Sequence, residues 1–335
     1  ATSNTGRTMQ EAKRIYCAFY RKLLDSQAGF GLKESKKHLS KNLDWNGPHP
    51  MQRTHGRDDF YSSVWQPLAQ SFSGLTRNDD ILMGGTYRDA TWIASTGHYS
   101  GEFVHDWLGV PATNRPVNLR FGEFARIAEG RIQEFRTLFD IVALCRDAGV
   151  SLLPPDAGSD AFVPGPATRD GVMLQPANPA TGAASLRLVE DMINGLLDFD
   201  GTNLDSMGME RFWSDDMRWY GPAGIGTTRG LEGFQAQHQG PFLKAFPDRT
   251  AAPHTALFAE GNYVCVTGWP SVIGTHLGPY LGLPASGAKA RMRVMDFWRR
   301  KNGKLAENWV LIDMLDLFLQ LGVDLLDKAL STGNK

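Results

Sequence analysis

A long internal repeat constrains this chain more than any other feature. Trp45, Gly47, Pro48, Thr54, Gly56, Phe60, Pro67 and Phe72 recur in order as Trp219, Gly221, Pro222, Thr228, Gly230, Phe234, Pro241 and Phe246, each 174 positions later. After small length changes the register returns at an offset of 173. Leu108, Gly109, Pro111 and Ala112 match Leu281, Gly282, Pro284 and Ala285, and Phe124, Gly130, Glu134, Leu138 and Asp140 match Phe297, Gly303, Glu307, Leu311 and Asp313. The period is several times longer than a solenoid unit, so it marks a duplicated domain. A chain of 335 residues accommodates two domains of ordinary size. The first domain reads as residues 1–153, a connector as 154–183 and the second domain as 184–335. The connector holds six prolines among Gly, Ala, Asp and Thr, without periodicity. Such a composition predicts a semi-rigid strap over the surface.

Each copy carries the same coarse order of elements, clearest in the second. Val189, Met192, Ile193, Leu196 and Leu197 fall at helical spacing, and Glu210 to Trp213 suggests a second short helix. Trp219 and Tyr220 form a short strand stopped by Gly221 and Pro222, and Leu231 to Phe246 returns to helical spacing before Pro247 and Asp248 end it. Strands are predicted over Tyr263–Thr267, Arg291–Arg299 and Leu305–Asp313, punctuated by Gly261, Gly268, Gly287 and Gly303. A helix from Met314 closes the second copy, and one from Ile141 closes the first. Helices followed by a run of strands predict an α+β domain in which a curved antiparallel sheet wraps around N-terminal helices. The concave side of such a sheet is the natural place for a small ligand.

Composition removes several function classes. Lys+Arg 35 against Asp+Glu 36 leaves no electrostatic footprint for nucleic acid or an anionic membrane. No apolar run approaches a membrane span, and Ala1 to Thr8 has no charged segment leading into one, so a cytoplasmic protein is expected. Cys17, Cys145 and Cys265 are few and far apart, each in an apolar run, and read as small buried hydrophobes. His98 and His105 would face opposite sides of an unbroken strand, which argues against a metal site. No phosphate-cradling glycine loop and no Gly-x-Ser-x-Gly elbow occurs.

The candidate site residues follow from strand alternation. Glu307, Trp309, Leu311 and Asp313 share one face, as do Glu134, Arg136, Leu138 and Asp140. A carboxyl among Leu and Trp side chains loses hydration and becomes a useful acid and base near neutral pH. Asp is equally a favoured helix N-cap, so Asp313 and Asp140 have two readings, catalytic and capping. His276 lies in a glycine-punctuated stretch, Gly274 to Gly282, and its counterpart in the first copy is Phe103. It reads either as a structural histidine or as a polar group facing a ligand. Trp219, Trp269, Tyr280, Trp298 and Trp309 are core residues or stacking platforms for a flat ligand.

The second copy resembles the SnoaL-like polyketide cyclase family (ester cyclases) from about Leu186 to Leu326. The likeness is carried by Trp219-Tyr220-Gly221-Pro222, by Arg229-Gly230 to Phe234, by Pro241-Phe242 with Ala245 to Asp248, by Thr275-His276-Leu277-Gly278 with Leu281 to Pro284, and by Asn302 to Leu305 running into Glu307, Asn308, Trp309 and Asp313. The first copy is similar but eroded, with Phe103 for the His and Arg136 for the Trp, while Asp140 is kept. The resemblance implies the cone fold of nuclear-transport-factor-2-like proteins and chemistry without metal or redox cofactor. In such cyclases an Asp takes a proton from a carbon flanked by carbonyls, the enolate attacks a carbonyl of the same molecule, and the Asp returns the proton. Asp313 matches that position, with His276 polarising a carbonyl and Trp219, Tyr280, Trp309, Trp269 and Arg229 packing a small hydrophobic or aromatic substrate. Asp140, Trp45, His55 and Trp107 are the first-domain counterparts. The alternative function is a noncatalytic binder of a small hydrophobic ligand. Because the best-known relatives are single domains that pair, the tandem predicts an intramolecular pseudo-dimer, with a further homo-oligomer open.

Overall fold

In a computed structural model the described residues are 4–25 and 31–332, so the first three residues of the N-terminal stretch lie outside them. The chain divides into two compact units. Unit one comprises Ala1–Ser151, Ala167–Pro176 and Ala329–Lys335, and unit two comprises Leu152–Pro166 and Ala177–Lys328. The proline-rich connector is thus shared out, its first part packing with unit two and its next ten residues with unit one.

Unit one begins with α1 (Asn4–Asp25) and α2 (Gly31–Ser35), followed by strands β1 (Leu39–Asn46) and β2 (Arg53–His55). A broken helix comes next, α3 (Arg57–Phe60), a π segment (Tyr61–Trp65) and α4 (Gln66–Ser71). Four long strands then run in succession, β3 (Phe72–Tyr87), β4 (Ala90–Phe103), β5 (Pro116–Ala128) and β6 (Arg131–Phe139), before α5 (Ile141–Asp147). The sheet order is β2-β1-β6-β5-β4-β3. Helix α1 buries Ala12, Ile15, Tyr16, Phe19, Tyr20 and Leu23, a three-and-four spacing that lays one stripe on β3, β4 and β6.

Unit two repeats the plan. It has α6 (Pro179–Leu196), β7 (Trp213–Tyr220), β8 (Thr227–Arg229), α7 (Gly230–Phe234), a π segment (Gln235–Gln239), α8 (Gly240–Ala245), β9 (Thr250–Ala251), β10 (Ala256–Glu260), β11 (Tyr263–Thr275), β12 (Lys289–Lys301), β13 (Lys304–Ile312), α9 (Met314–Gln320) and the first half of α10 (Leu325–Thr332), whose residues from Ala329 belong to unit one. The order is β10-β11-β12-β13-β7-β8, with β9 beside β11. The short helix expected at Glu210–Trp213 is a 3-10 turn over Met209–Arg211, and Trp213 already belongs to β7.

The sheets differ from the expectation in one respect: they are mixed. β1 runs parallel to β6, and β7 parallel to β13, while the other pairs are antiparallel. The first strand of each unit is separated from the last by helices and a full meander, a connection long enough to allow a parallel pairing. Register shifts at Ser73/Thr76, Asp79/Ile81 and Gly268/Val272 bend the long strands around the helices.

The repeated Trp-x-Gly-Pro motif has a steric cause. A Cβ on Gly221 would lie 2.1 Å from the Trp219 ring, and one on Gly47 would lie 1.9 Å from the Trp45 ring. Each indole folds back over the turn that ends its strand, and only glycine leaves room. The two indoles sit at the same place in their ladders, Trp45 opposite Phe135 and Trp219 opposite Asn308.

Candidate functional site

The two faces of the unit-two sheet are told apart by the strand register. Asp296 on β12 pairs with Val266 on β11 and Val310 on β13, Trp298 pairs with Val264 and Asn308, and Asn308 pairs with Trp219 on β7. These side chains therefore share one face. Phe297, Trp309 and Tyr220 share the other. Trp219 packs against Phe234 at 5.6 Å and against His238 at 4.2 Å, so the face that carries Asp296 is the one covered by α7 and the π segment.

Asp296 is the chemically distinctive group on that face. Its Oδ1 accepts from Asn308 Nδ2 at 3.2 Å, and it has no cationic partner among the described residues. Burial raises its pKa from the usual carboxylate range to about 7, against a smaller lowering by the Asn308 hydrogen bond. The side chain nevertheless keeps partial solvent accessibility. It stands on the central strand β12, on the sheet face that carries Trp219.

An aromatic wall continues from Trp219. His238 stacks on Trp219 with its ring 15° from parallel and lies 5.7 Å from Phe242. Phe242 is 6.1 Å from Tyr280, and Tyr280 is 5.5 Å from Phe246. Tyr280 is 3% exposed, its hydroxyl has no hydrogen-bond partner among the described residues, and burial raises its pKa. Gln239 Oε1 is likewise buried without a partner. The Gln239 amide is turned toward Met207, with Nε2 4.0 Å from the sulfur, and His276 Nε2 and Trp298 Nε1 are buried without a partner as well, so this unit carries several costly orphaned polar atoms.

The residues expected from the sequence fall into two groups. Trp219 and Tyr280 belong to this wall. Asp313 does not: it is the N-cap of α9, accepting from the Asp316 amide at 3.1 Å and from Arg293 Nη1 at 3.3 Å. Arg293 is an odd-numbered neighbour of Met295 and Phe297, so this pair sits on the face opposite Asp296. Asp140 repeats the arrangement, capping α5 by accepting from the Ala143 amide at 3.1 Å beside the charge of Arg120. The arginines correspond at the 173 offset, and each aspartate donates its own amide to its arginine's carbonyl, at 2.9 Å in unit one and 3.0 Å in unit two. Capping is therefore what both copies preserve.

His276 is fully buried and knits a loop. Its Nδ1 accepts from the Ser286 amide at 3.1 Å with Ser286 Oγ at 2.9 Å, and its backbone bonds Ala288 and Gly287 at 2.9 Å each. Phe246 stacks beside it at 5.6 Å. Trp309 lies on the opposite face, tilted on Tyr220 at 5.3 Å and donating from Nε1 to the Pro164 carbonyl at 2.9 Å. Trp269 takes the Arg293 guanidinium over its ring at 5.1 Å, and Arg229 is exposed at the end of β8. In unit one Trp45 is buried against Phe60, Trp107 packs edge-on to Phe72 and Phe139, and His55 is exposed. Among the described residues no group of three or more His, Cys, Asp or Glu side chains is placed to hold a metal ion.

The family model for SnoaL-like polyketide cyclases matches residues 17–148 and again 195–321, well over half of the chain. The chain belongs to the SnoaL-like polyketide cyclase family. Solved structures similar to it include a protein assigned as a SnoaL-like polyketide cyclase from Jannaschia sp. CCS1, at 19% identity and TM-score 0.39, covering 44% of this chain and 98% of that one. IdmH from Streptomyces antibioticus, assigned as a polyketide cyclase, is 25% identical at TM-score 0.32, covering 40% and 98%. An NTF2-like protein from Burkholderia xenovorans LB400 is 17% identical at TM-score 0.34, covering 42% and 97%. No curated protein matches the chain.

The two SnoaL-like domains differ most at the Asp296 position. Its counterpart 173 residues earlier is Glu123, held between Ser95 and Thr137 in the same ladder position. Glu123 accepts from Tyr16 at 2.8 Å, from Tyr20 and from Thr137 at 2.7 Å, and lies 3.6 Å from Arg77. The Arg77 side chain is 2% exposed, with its guanidinium carbon 3.6 Å from the Tyr20 ring centre and 3.9 Å from that of Phe121. It also donates to Tyr99 at 2.6 Å and to Asp79 at 3.2 Å. In the first SnoaL-like domain the acid is thus hydrogen-bonded by three side chains and ion-paired with Arg77. In the second, α6 buries Val189 and Met192, which bring no hydroxyl, and the acid keeps only Asn308.

Sequence reasoning passed over Asp296, Asn308 and His238. The signal was present: Asp296 is the one carboxylate in the segment Lys289–Lys301, between Met295 and Phe297, where an acid also stands in the duplicate.

Proposed function

We propose that the second SnoaL-like domain is a cofactor-independent lyase or isomerase that moves a proton on a small, flat, carbonyl-activated molecule of polyketide type, with Asp296 as the general base and acid. The observation that carries this reading is Asp296 itself, an unpaired carboxylate under the covering helices whose pKa of about 7 matches its job at neutral pH. Asn308, held by the Phe297 carbonyl at 2.9 Å, fixes one carboxylate oxygen and leaves the other to work.

The step balances without an external reagent. Asp296 takes the proton from a carbon between two carbonyls, and the C–H electron pair becomes an enolate. The enolate carbon forms a bond to a carbonyl carbon of the same molecule, whose C=O π pair moves to oxygen as an alkoxide. Asp296 then returns the proton to that oxygen. The aromatic wall of Trp219, Phe242 and Tyr280 would hold the molecule folded in a near-attack pose, which removes much of the entropic part of the barrier. Asp313, expected to be the base from strand alternation and from the resemblance, is engaged as the α9 helix cap and with Arg293 and does not carry this reading.

The test is deuterium exchange at the carbon between the carbonyls of ethyl benzoylacetate, followed by proton NMR in D2O. The full chain is expected to accelerate exchange, and Asp296→Asn is expected to return it to the buffer rate. Tight probe binding by the native chain without any acceleration would instead support a noncatalytic binding module.

A further inference from the structure

We infer that His238 is the second catalytic group of this site, donating a hydrogen bond to the substrate oxygen on which charge develops as Asp296 removes the proton. The inference rests on the Asp296 reading and adds the group that would make the enolate affordable.

Four observations support it. His238 lies on the π segment Gln235–Gln239, an irregularity that frequently marks functional positions in helices. Its ring is fixed by aromatic contacts alone, Trp219 at 4.2 Å, Phe234 at 5.6 Å and Phe242 at 5.7 Å, and neither ring nitrogen has a hydrogen-bond partner among the described residues. The ring is also linked to the acid through two intermediate residues. Trp219, on which it stacks, is the ladder partner of Asn308, whose amide holds Asp296. Asp296 and Trp219 stand two strands apart on one face, about 10 Å between backbones, a gap that the carboxylate and the imidazole enter from either side and that a dicarbonyl molecule the size of ethyl benzoylacetate would occupy.

The fourth observation comes from the duplicate. The first domain has an equivalent π segment, Tyr61–Trp65, but the position 174 residues before His238 is Val64. The backbone irregularity is common to both copies, whereas the imidazole occurs only where the interior acid is unpaired. A structural requirement of the π segment would have kept a similar side chain in both.

Burial pushes the pKa of His238 down to about 3, so the ring is neutral and keeps one N–H to donate. A neutral imidazole is the better matched donor here, because a charged one would transfer its proton and trap the enolate as a stable enol beside Asp296. No atom is exchanged with His238: the proton travels from substrate carbon to Asp296, and His238 only shares its N–H with the developing oxyanion.

The experiment uses the full chain and ethyl benzoylacetate as probe. His238→Phe keeps the stack on Trp219 and removes the donor, and His238→Gln restores an N–H without the ring. The expected result is a loss of about 10²-fold or more in exchange rate at saturating probe for His238→Phe, recovery of part of that loss for His238→Gln, and probe affinity by tryptophan fluorescence close to that of the native chain. If His238→Phe exchanges at the native rate while Asp296→Asn does not, the imidazole is a packing residue and the Asp296 reading stands. A drop in His238→Phe explained wholly by weaker binding has the same meaning. If the native chain fails to accelerate exchange at all, both readings fall together.

Discussion

Asp296 illustrates how burial sets chemistry at the level of one side chain. Its carboxyl has a folded pKa raised to about 7 by desolvation, whereas in the unfolded chain it returns to the ordinary carboxylate value. Between those two values the native state binds the extra proton, so its contribution to stability is greatest at low pH and is lost as pH rises toward 7. Asp296→Asn removes this penalty. The variant is expected to gain roughly 1–3 kcal/mol over the native chain at pH 8 and little or nothing at pH 4, a difference visible in paired thermal melts. Equal shifts at both pH values would mean that the carboxyl is hydrated. The alternation that places Asp296 opposite Phe297 was legible in the sequence. Which of the two faces lies under the helices was not, because that depends on Trp219 meeting His238 across a stretch of chain that no periodicity connects.

Among the elements, the helices that close each domain show why the strand-end aspartates drew attention. Asp313 and Asp140 stand at the junction of an apolar strand and a helix, and the same position suits a desolvated acid and an N-cap equally well. The geometry of α9 decides between them, through the Asp316 amide and Arg293. Asp313→Ala is therefore expected to destabilise the second domain by about 1–2 kcal/mol, the usual range for losing a cap, while leaving probe exchange within about twofold of native. A loss of exchange without a change in melting temperature would restore Asp313 to the reaction. The long strands and the first helices were legible because a buried face repeats every two or every three to four residues. The short strands β8, β9 and β10 were not, since a two- to five-residue edge carries too little pattern. The parallel pairing of β1 with β6 and β7 with β13 was hidden for another reason: it is a property of the order in which elements are laid down, not of any segment.

At the scale of the whole molecule, duplication has produced two interiors with different contents. Arg77, Tyr16, Tyr20 and Glu123 satisfy one another in the first, while Asp296, Tyr280 and Gln239 leave hydrogen-bonding capacity unused in the second. Isothermal titration with ethyl benzoylacetate or a larger flat polyphenol is expected to give one site per chain, abolished by filling the second interior with Val266→Trp and unaffected by Glu123→Gln wherever that variant folds. Two equivalent sites would show that Arg77 yields to ligand. The connector explains a further property of the pair. Residues Leu152–Pro166 pack with the second domain, where Pro164 accepts from Trp309, Ser159 pairs with Thr227 and Asp156 accepts from the Gly224 amide, and Ala167–Pro176 return to the first, where Val172 lies beside Leu82. One clean cut therefore cannot separate the copies: excising the first with its tether strips a partner from Trp309, and leaving the tether behind strands a segment that belonged elsewhere. Each copy is therefore completed by a piece of chain that lies beyond its own sequence boundary, so truncation at any single point leaves one of the two incomplete.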